Sequence, residues 1–200
     1  MKSGFYGLPL ILSFVLCTCM AKILILLVHP NLERSKANQM LLDSLPVSDN
    51  ITLRDLYELY PHFTINVKEE QTLLQNHDVI LFQHPFYWYS CPPLMKQWID
   101  AVLEDGWAYG KNGNALKGKK WIQAISTGGS EKAYQKDGFH GHLIDAFLLP
   151  FQRTAELCQM EYQKPFLVQG TFQLKEEEFQ KESIRYRNFI LSHLEEVYNG

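Results

Sequence analysis

Cysteine is scarce in this sequence and never sits at CxxC spacing. Of the four cysteines, Cys17 and Cys19 lie in an N-terminal stretch that reads apart from the rest. Cys91 and Cys158 are too few for a disulfide framework or a zinc site. A reducing compartment and no metal centre are the expectation. A basic excess is missing too: 19 Lys and Arg against 22 Asp and Glu leave a net charge of −3, which argues against nucleic acid as a partner. Neither GxGxxG nor GxxxxGK[ST] occurs, so the two best-known glycine-rich nucleotide signatures are excluded. No internal repeat, low-complexity tract or interdomain linker is visible. The apolar run at residues 8–17 is interrupted by Pro9 and too short to span a bilayer. Residues 1–20 read as a poor signal-like leader or as sequence ahead of a true start at Met20. The second reading is preferred, because Met20-Ala21-Lys22 runs straight into an apolar strand. Residues 21–200 suffice for one domain with a sizeable core.

What is present alternates between apolar runs and helical spacing. Residues 22–28, KILILLV, read as a parallel strand buried on both faces. A helix over 35–45 follows, with Ser35 as its N-cap. A more polar strand over 50–56 and a helix over 67–75 come next, then a buried strand over 78–83. Pro92 and Pro93 open a further helix. Strands over 119–125 and 165–169 and helices over 144–160 and 175–198 complete the chain. This alternation argues an α/β flavodoxin-like, doubly wound five-stranded parallel sheet in the order 2-1-3-4-5.

Three strand ends carry unusual loops, and in that order they belong to neighbouring strands. After the first strand come His29-Pro30 and the start of a helix, whose loop amides would face an anion; taken alone, an ordinary βα turn is as good a reading. After the third strand come four aromatics in a row, Phe86, Tyr87, Trp88 and Tyr89. They cannot all enter one core, so a stacked ring-shaped ligand explains them. After the fourth strand come Ser126, Thr127, Gly128 and Gly129, whose small side chains let backbone approach a flat ring or an anion. Tyr134 and His140 follow, two side chains able to donate protons or hydrogen bonds near neutral pH; by itself that stretch is an ordinary turn. Together, an anion pocket, an aromatic wall and a Gly-Gly shelf suit FMN. A second aromatic loop at 106–110 contains Trp107 and Tyr109 and reads as exposed, hence as an interface.

From residue 20 to about residue 198 the chain resembles the flavodoxin-like NAD(P)H–quinone oxidoreductases, the group that includes DT-diaphorase. Within that group it is most similar to the ancillary flavoproteins of glutathione-gated potassium efflux systems. The motifs are His29-Pro30 with Ser35-Lys36-Ala37-Asn38, Gln83 through Ser90 (QHPFYWYS), Gly106-Trp107-Ala108-Tyr109-Gly110, and Thr127-Gly128-Gly129. The resemblance implies that His29, Ser35, Lys36, Ala37 and Asn38 hold a flavin phosphate. It implies that Phe86 to Tyr89 line the ring and that Ser126 to Gly129 supply amides along its pyrimidine edge. Tyr134 and His140 stand where the family keeps its proton-relay pair, and Trp107 and Tyr109 would cap the substrate pocket, in this family often from the partner subunit. A phosphate loop longer than that of DT-diaphorase, and no substantial C-terminal extension, favour FMN over FAD.

The implied activity is two-electron, ping-pong hydride transfer from NAD(P)H to a quinone by a cytoplasmic homodimer. The competing reading is a regulatory subunit that activates a membrane potassium–proton antiporter from the inner face of the membrane. A one-electron carrier fits less well, since carriers are usually more acidic and lack the Tyr134/His140 pair.

Overall fold

The computed structural model describes residues 20–195. The leader before Met20 and the end of the last helix, expected to reach residue 198, lie outside the described residues.

Strand β1 (Ile23–Leu27) is buried along its whole length, as its unbroken apolar sequence requires. It pairs in parallel with β2 (Ile51–Asp55) on one side and β3 (Val79–Pro85) on the other. β3 pairs with β4 (Lys120–Thr127), and β4 carries an outer strand broken into β5 (Glu161–Tyr162) and β6 (Phe166–Gln169). The strand positions therefore run 2-1-3-4-5. The break is a local register effect. Tyr162 faces Trp121 and Phe166 faces Ala124, so the outer strand takes four steps where β4 takes three. Pro165 sits in that gap, where a residue without an N–H costs no ladder bond.

Side chains alternate across the sheet with period two. Ile23, Ile25, Val79, Leu81, Ile122 and Ala124 pack with Leu41 of α1 (Lys36–Asp43) and with Tyr186, Ile190 and Leu194 of α6 (Glu176–Leu194). Leu24, Leu26, Ile80, Phe82 and Trp121 face the other way. They pack with Leu74 of α3 (Val67–Asn76), Trp98 of α4 (Pro93–Val102) and Leu148 and Phe151 of α5 (Ile144–Leu157). The short α2 (Leu56–Leu59) leads out of β2, with the Asp55 carboxylate capping its first N–H groups.

That second face holds a buried carboxylate. Glu70 is fully buried yet pairs with Arg54 at 2.6 Å and accepts from the Tyr60 hydroxyl at 2.7 Å and the Trp98 indole N–H at 3.0 Å. The bonds compensate its desolvation and tie β2, α3 and α4 together. On the sheet itself, β1, β3 and β4 end at one carboxyl edge, β1 and β3 being the pair from which the strand order runs in opposite directions. That edge is where such sheets bind ligands.

Candidate active site

The loops after β1, β3 and β4 meet over this edge and, with the β6–α6 loop, enclose a cleft of about 920 Å³. His29, Ser35, Lys36 and Ala37 line one end. Phe86 to Tyr89 form a wall, and Ser126, Gly128, Gly129, Tyr134 and His140 also face it. Asn38 and Thr127 lie behind that surface, both buried.

The first end is a set of hydrogen-bond donors. A three-residue 3₁₀ turn, Leu32–Arg34, delivers the chain to Ser35, which caps α1 by accepting from the Asn38 N–H at 3.4 Å. The Lys36 and Ala37 N–H groups of the first helical turn have no partner among the described residues, leaving them for an anion. His29 is buried, which lowers its pKa, and its Nδ1 accepts from the Asn31 N–H at 3.1 Å. The neutral ring therefore carries its proton on Nε2, a second donor. Lys36 is less free than its position suggests. Its ammonium pairs with Glu176 and lies 4.9 Å from the centre of the Phe179 ring.

The aromatic wall comes from a tight turn. Ser90 N–H donates to Tyr87 O at 2.9 Å, closing a turn whose central residues Trp88 and Tyr89 have φ of 49° and 60°. Two consecutive left-handed residues with side chains cost about 1–2 kcal/mol each, and such strain concentrates at functional sites. The turn sends the Trp88 ring into solvent, 93% exposed, while Tyr89 stacks on Phe147 at 5.2 Å. Phe86 is half-buried against the core and meets Tyr134 edge-on at 5.8 Å.

At the third loop, Gly128 and Gly129 present N–H groups without hydrogen-bond partners among the described residues. Behind Gly129, Tyr134 and His140 stack at 4.3 Å with planes 22° apart. A Cβ on Gly129 would stand 2.9 Å from Tyr134 Cε2 and 3.2 Å from His140 Nε2, so glycine is what lets the ring pair close on the shelf. Tyr134 is no surface tyrosine. Burial, then the neighbouring Tyr89 hydroxyl, raises its pKa, only partly opposed by a hydrogen bond with Thr127, so it stays a neutral donor. His140 Nδ1 is buried, with no hydrogen-bond partner among the described residues. Unpaired amides and a donor-rich far end fit a flat heterocycle that carries a phosphate.

Sequence reasoning missed the β6–α6 loop. Gly170 N–H donates to Gly129 O at 2.9 Å and Thr171 N–H to Thr127 O at 3.0 Å, strapping this loop to the shelf. Phe172, 90% exposed, thereby lies over Gly128, and a Cβ there would fall 2.4 Å from its ring. Its only sequence signal is a glycine at the end of the last strand, Gly170 at φ +72°.

Trp107 and Tyr109 depart from expectation in their exposure. Neither lines the cleft of its own chain, and neither is the exposed aromatic expected; both are half-buried against the core. The loop folds on itself: Gly106 N–H reaches Tyr109 O at 2.8 Å, and Ala115 N–H reaches Trp107 O at 3.1 Å. That curl turns the two rings inward. Among the described residues, no cluster of His, Cys, Asp and Glu could hold a metal ion, and no helix is long and apolar enough to cross a membrane.

Residues 21–190 match a family model described as a flavodoxin-like fold. The glutathione-regulated potassium-efflux system ancillary protein KefG of Pectobacterium atrosepticum is 43% identical over 175 residues, 88% of this chain and 96% of that protein. The structure of general stress protein 14 from Treponema denticola, in complex with FMN, is 38% identical with a TM-score of 0.79, over 86% of this chain and 97% of that one. An NADPH-quinone reductase structure from P. pentosaceus is 30% identical with a TM-score of 0.77, over 84% and 96%. With its sheet order, its cleft at the carboxyl edge and these likenesses, the chain belongs to the flavodoxin-like fold family.

Proposed function

We propose that the protein is an FMN-dependent oxidoreductase that draws electrons from NAD(P)H and reduces quinones, as a homodimer with ping-pong kinetics. The observation that carries this reading is the joining of two surfaces in one cleft. One is the donor set of His29, Ser35 and the α1 N-terminus; the other is the Gly128–Gly129 shelf backed by Tyr134 and His140. The FMN complex of the Treponema protein and the quinone reductase likeness support it.

When bound, FMN supplies the redox chemistry, accepting hydride from NAD(P)H and returning it to a quinone. The chain's own contribution is binding and charge stabilisation. His29 Nε2–H, the Ser35 hydroxyl and the first N–H groups of α1 would hold the phosphate. Phe86 to Tyr89 would flank the ring and keep water from one side. The N–H groups of Gly128 and Gly129 are fixed in place beforehand, so negative charge developing beside them meets donors that need no reorganisation. Tyr134 donates as a neutral phenol, and His140 stacks beside it with Nε2 on the Gly129 side, at the cleft. Exposed Trp88, Phe139 and Phe172, each about 90% exposed, are the surface a second copy would cover. Initial rates with NAD(P)H and menadione at several fixed menadione concentrations test the reading. Parallel double-reciprocal lines are expected, and no menadione-dependent NAD(P)H oxidation would refute it.

The 43% identity to a potassium-efflux ancillary protein favours a second role. On that reading the chain docks, from the cytoplasmic face of the membrane, on a potassium–proton antiporter and activates it. An antiporter gene beside this one, and potassium efflux that rises on co-expression, are its expected signs.

A further inference from the structure

Asn38 is fully buried and reaches no ligand space, yet its side chain touches two residues that do. Its Nδ2 donates to Ser35 Oγ at 2.9 Å and to Ser126 Oγ at 3.0 Å. These serines belong to different segments, one capping α1 and one near the carboxyl end of β4, and both line the cleft.

The direction of these bonds follows from a backbone carbonyl. Gln83, also fully buried, lies with Nε2 3.1 Å from Asn38 O, and a carbonyl can only accept. Gln83 must therefore present its NH₂ there, and the same group stands 3.4 Å from Asn38 Oδ1. Gln83 Oε1 then points the other way and accepts from the Tyr186 hydroxyl at 3.0 Å. Burial pushes the Tyr186 pKa well up, which keeps that hydroxyl a donor. With Oδ1 on the Gln83 side, Asn38 has only its NH₂ to offer the serines, one hydrogen to each.

A hydroxyl that accepts from a buried amide has its own hydrogen left over. Ser35 Oγ accepts from both Asn38 Nδ2 and Asn38 N, and Ser126 Oγ accepts from Nδ2. Neither serine hydroxyl donates to an acceptor among the described residues. Each O–H is thus available only toward the cleft. We propose that Asn38 is a positioning residue whose buried amide forces Ser35 and Ser126 to act as donors into the cleft, so that the site selects a ligand bearing acceptor oxygens at both places. This rests on the FMN reading, with phosphate and ribityl oxygens as the acceptors, and it reassigns Asn38 from a direct ligand to the group that sets the polarity of two ligands' neighbours.

The test is FMN affinity, measured by quenching of flavin fluorescence on the full chain with no turnover. Ser35→Ala in the wild-type background should weaken binding about tenfold or more, the effect of losing one hydrogen bond to a charged group. Asn38→Asp replaces both donors with an acceptor and draws the serine hydrogens inward, so it should weaken binding about a hundredfold. In that background Ser35→Ala should change affinity less than twofold, because its donor has already turned away. Asn38→Ala, which frees the hydroxyls without burying a charge, serves if the aspartate variant does not fold, and there Ser35→Ala should cost clearly less than in the wild type. A merely structural Asn38 predicts the same Ser35→Ala factor in every background, and that result overturns the proposal. Wild-type protein that binds no FMN would instead overturn the flavin reading on which it rests.

Discussion

Alanine at Gly129 and alanine at Gly128 should have very different consequences, although the two glycines are adjacent. The new Cβ at 129 would stand 2.9 Å from Tyr134 Cε2 and 3.2 Å from His140 Nε2. Tyr134 is only 5% exposed and is walled in by Phe86 at 5.8 Å and Phe147 at 6.2 Å, so it has little room to recede. Overpacking of this kind costs about 1–3 kcal/mol. For a chain of this size that lowers Tm by about 2–4 °C per kcal/mol, or about 2–12 °C in all. At Gly128 the clash is with Phe172, a ring 90% exposed that can swing into solvent, so Gly128→Ala should cost less than about 0.5 kcal/mol. Thermal unfolding of both flavin-free variants gives the stability term. Stopped-flow reduction of the flavin-loaded forms by NAD(P)H gives the functional one, and displacement of the Tyr134–His140 pair should slow only Gly129→Ala. Equal Tm values for the two variants, or a wild-type reduction rate in Gly129→Ala, would refute the idea that this glycine exists to admit the ring pair.

Three further outcomes are expected. His140→Ala should keep its flavin yet be reduced about ten- to a hundredfold more slowly, the value of about 1.5–3 kcal/mol for one hydrogen bond to a developing charge; an unchanged rate in stopped flow would refute a part for His140 in flavin reduction. His84 is fully buried, with Nδ1 on Pro85 O at 2.9 Å and Nε2 beside Gln123 Nε2 at 3.0 Å, and burial takes its pKa down to about 4. Its folded pKa lies below the unfolded value of about 6.5, so the native state binds fewer protons. Its share of stability is present above that value and falls as pH drops toward 4, by about 2 kcal/mol at pH 5. Urea unfolding at pH 7 and pH 5 checks this, and His84→Asn should reduce the dependence, leaving the share of His193, which burial also takes down to about 4. Glu70→Ala should cost about 2–6 kcal/mol by stranding the buried Tyr60 and Trp98 donors, Arg54 keeping Glu69 at 2.9 Å as its partner, seen as a lower urea midpoint with the slope unchanged.

Periodicity made the sheet legible. Continuous apolar runs marked β1, β3 and β4, and the loops worth reading were those that followed them. Ser35 was readable as an N-cap from its side chain and its place before an apolar repeat. Where the sequence misled, the cause was tertiary. Asn38 sits in a motif with Ser35, but helix geometry turns it inward to Gln83 and Ser126. Trp107 and Tyr109 read as exposed because aromatics flanked by glycines look like a flap; the backbone bonds that curl the loop leave no trace in composition. Phe172 gave no signal beyond Gly170 before it, since its place over Gly128 depends on hydrogen bonds between residues more than 40 positions apart. The outer strand looked single because one extra residue beside Pro165 does not disturb an apolar pattern that short. Nothing in the α3 sequence distinguishes buried Glu70 from exposed Glu69 beside it.

Flavin content tests the central claim most directly. The protein is purified, denatured to release what it carries, and the extract is separated by chromatography against FMN, FAD and riboflavin. If the donor set at His29 and Ser35 and the shelf at Gly128 and Gly129 form one cofactor site, FMN should appear at about one molecule per chain, or be taken up to that level by flavin-free protein. A colourless chain that binds neither FMN nor FAD would contradict the account.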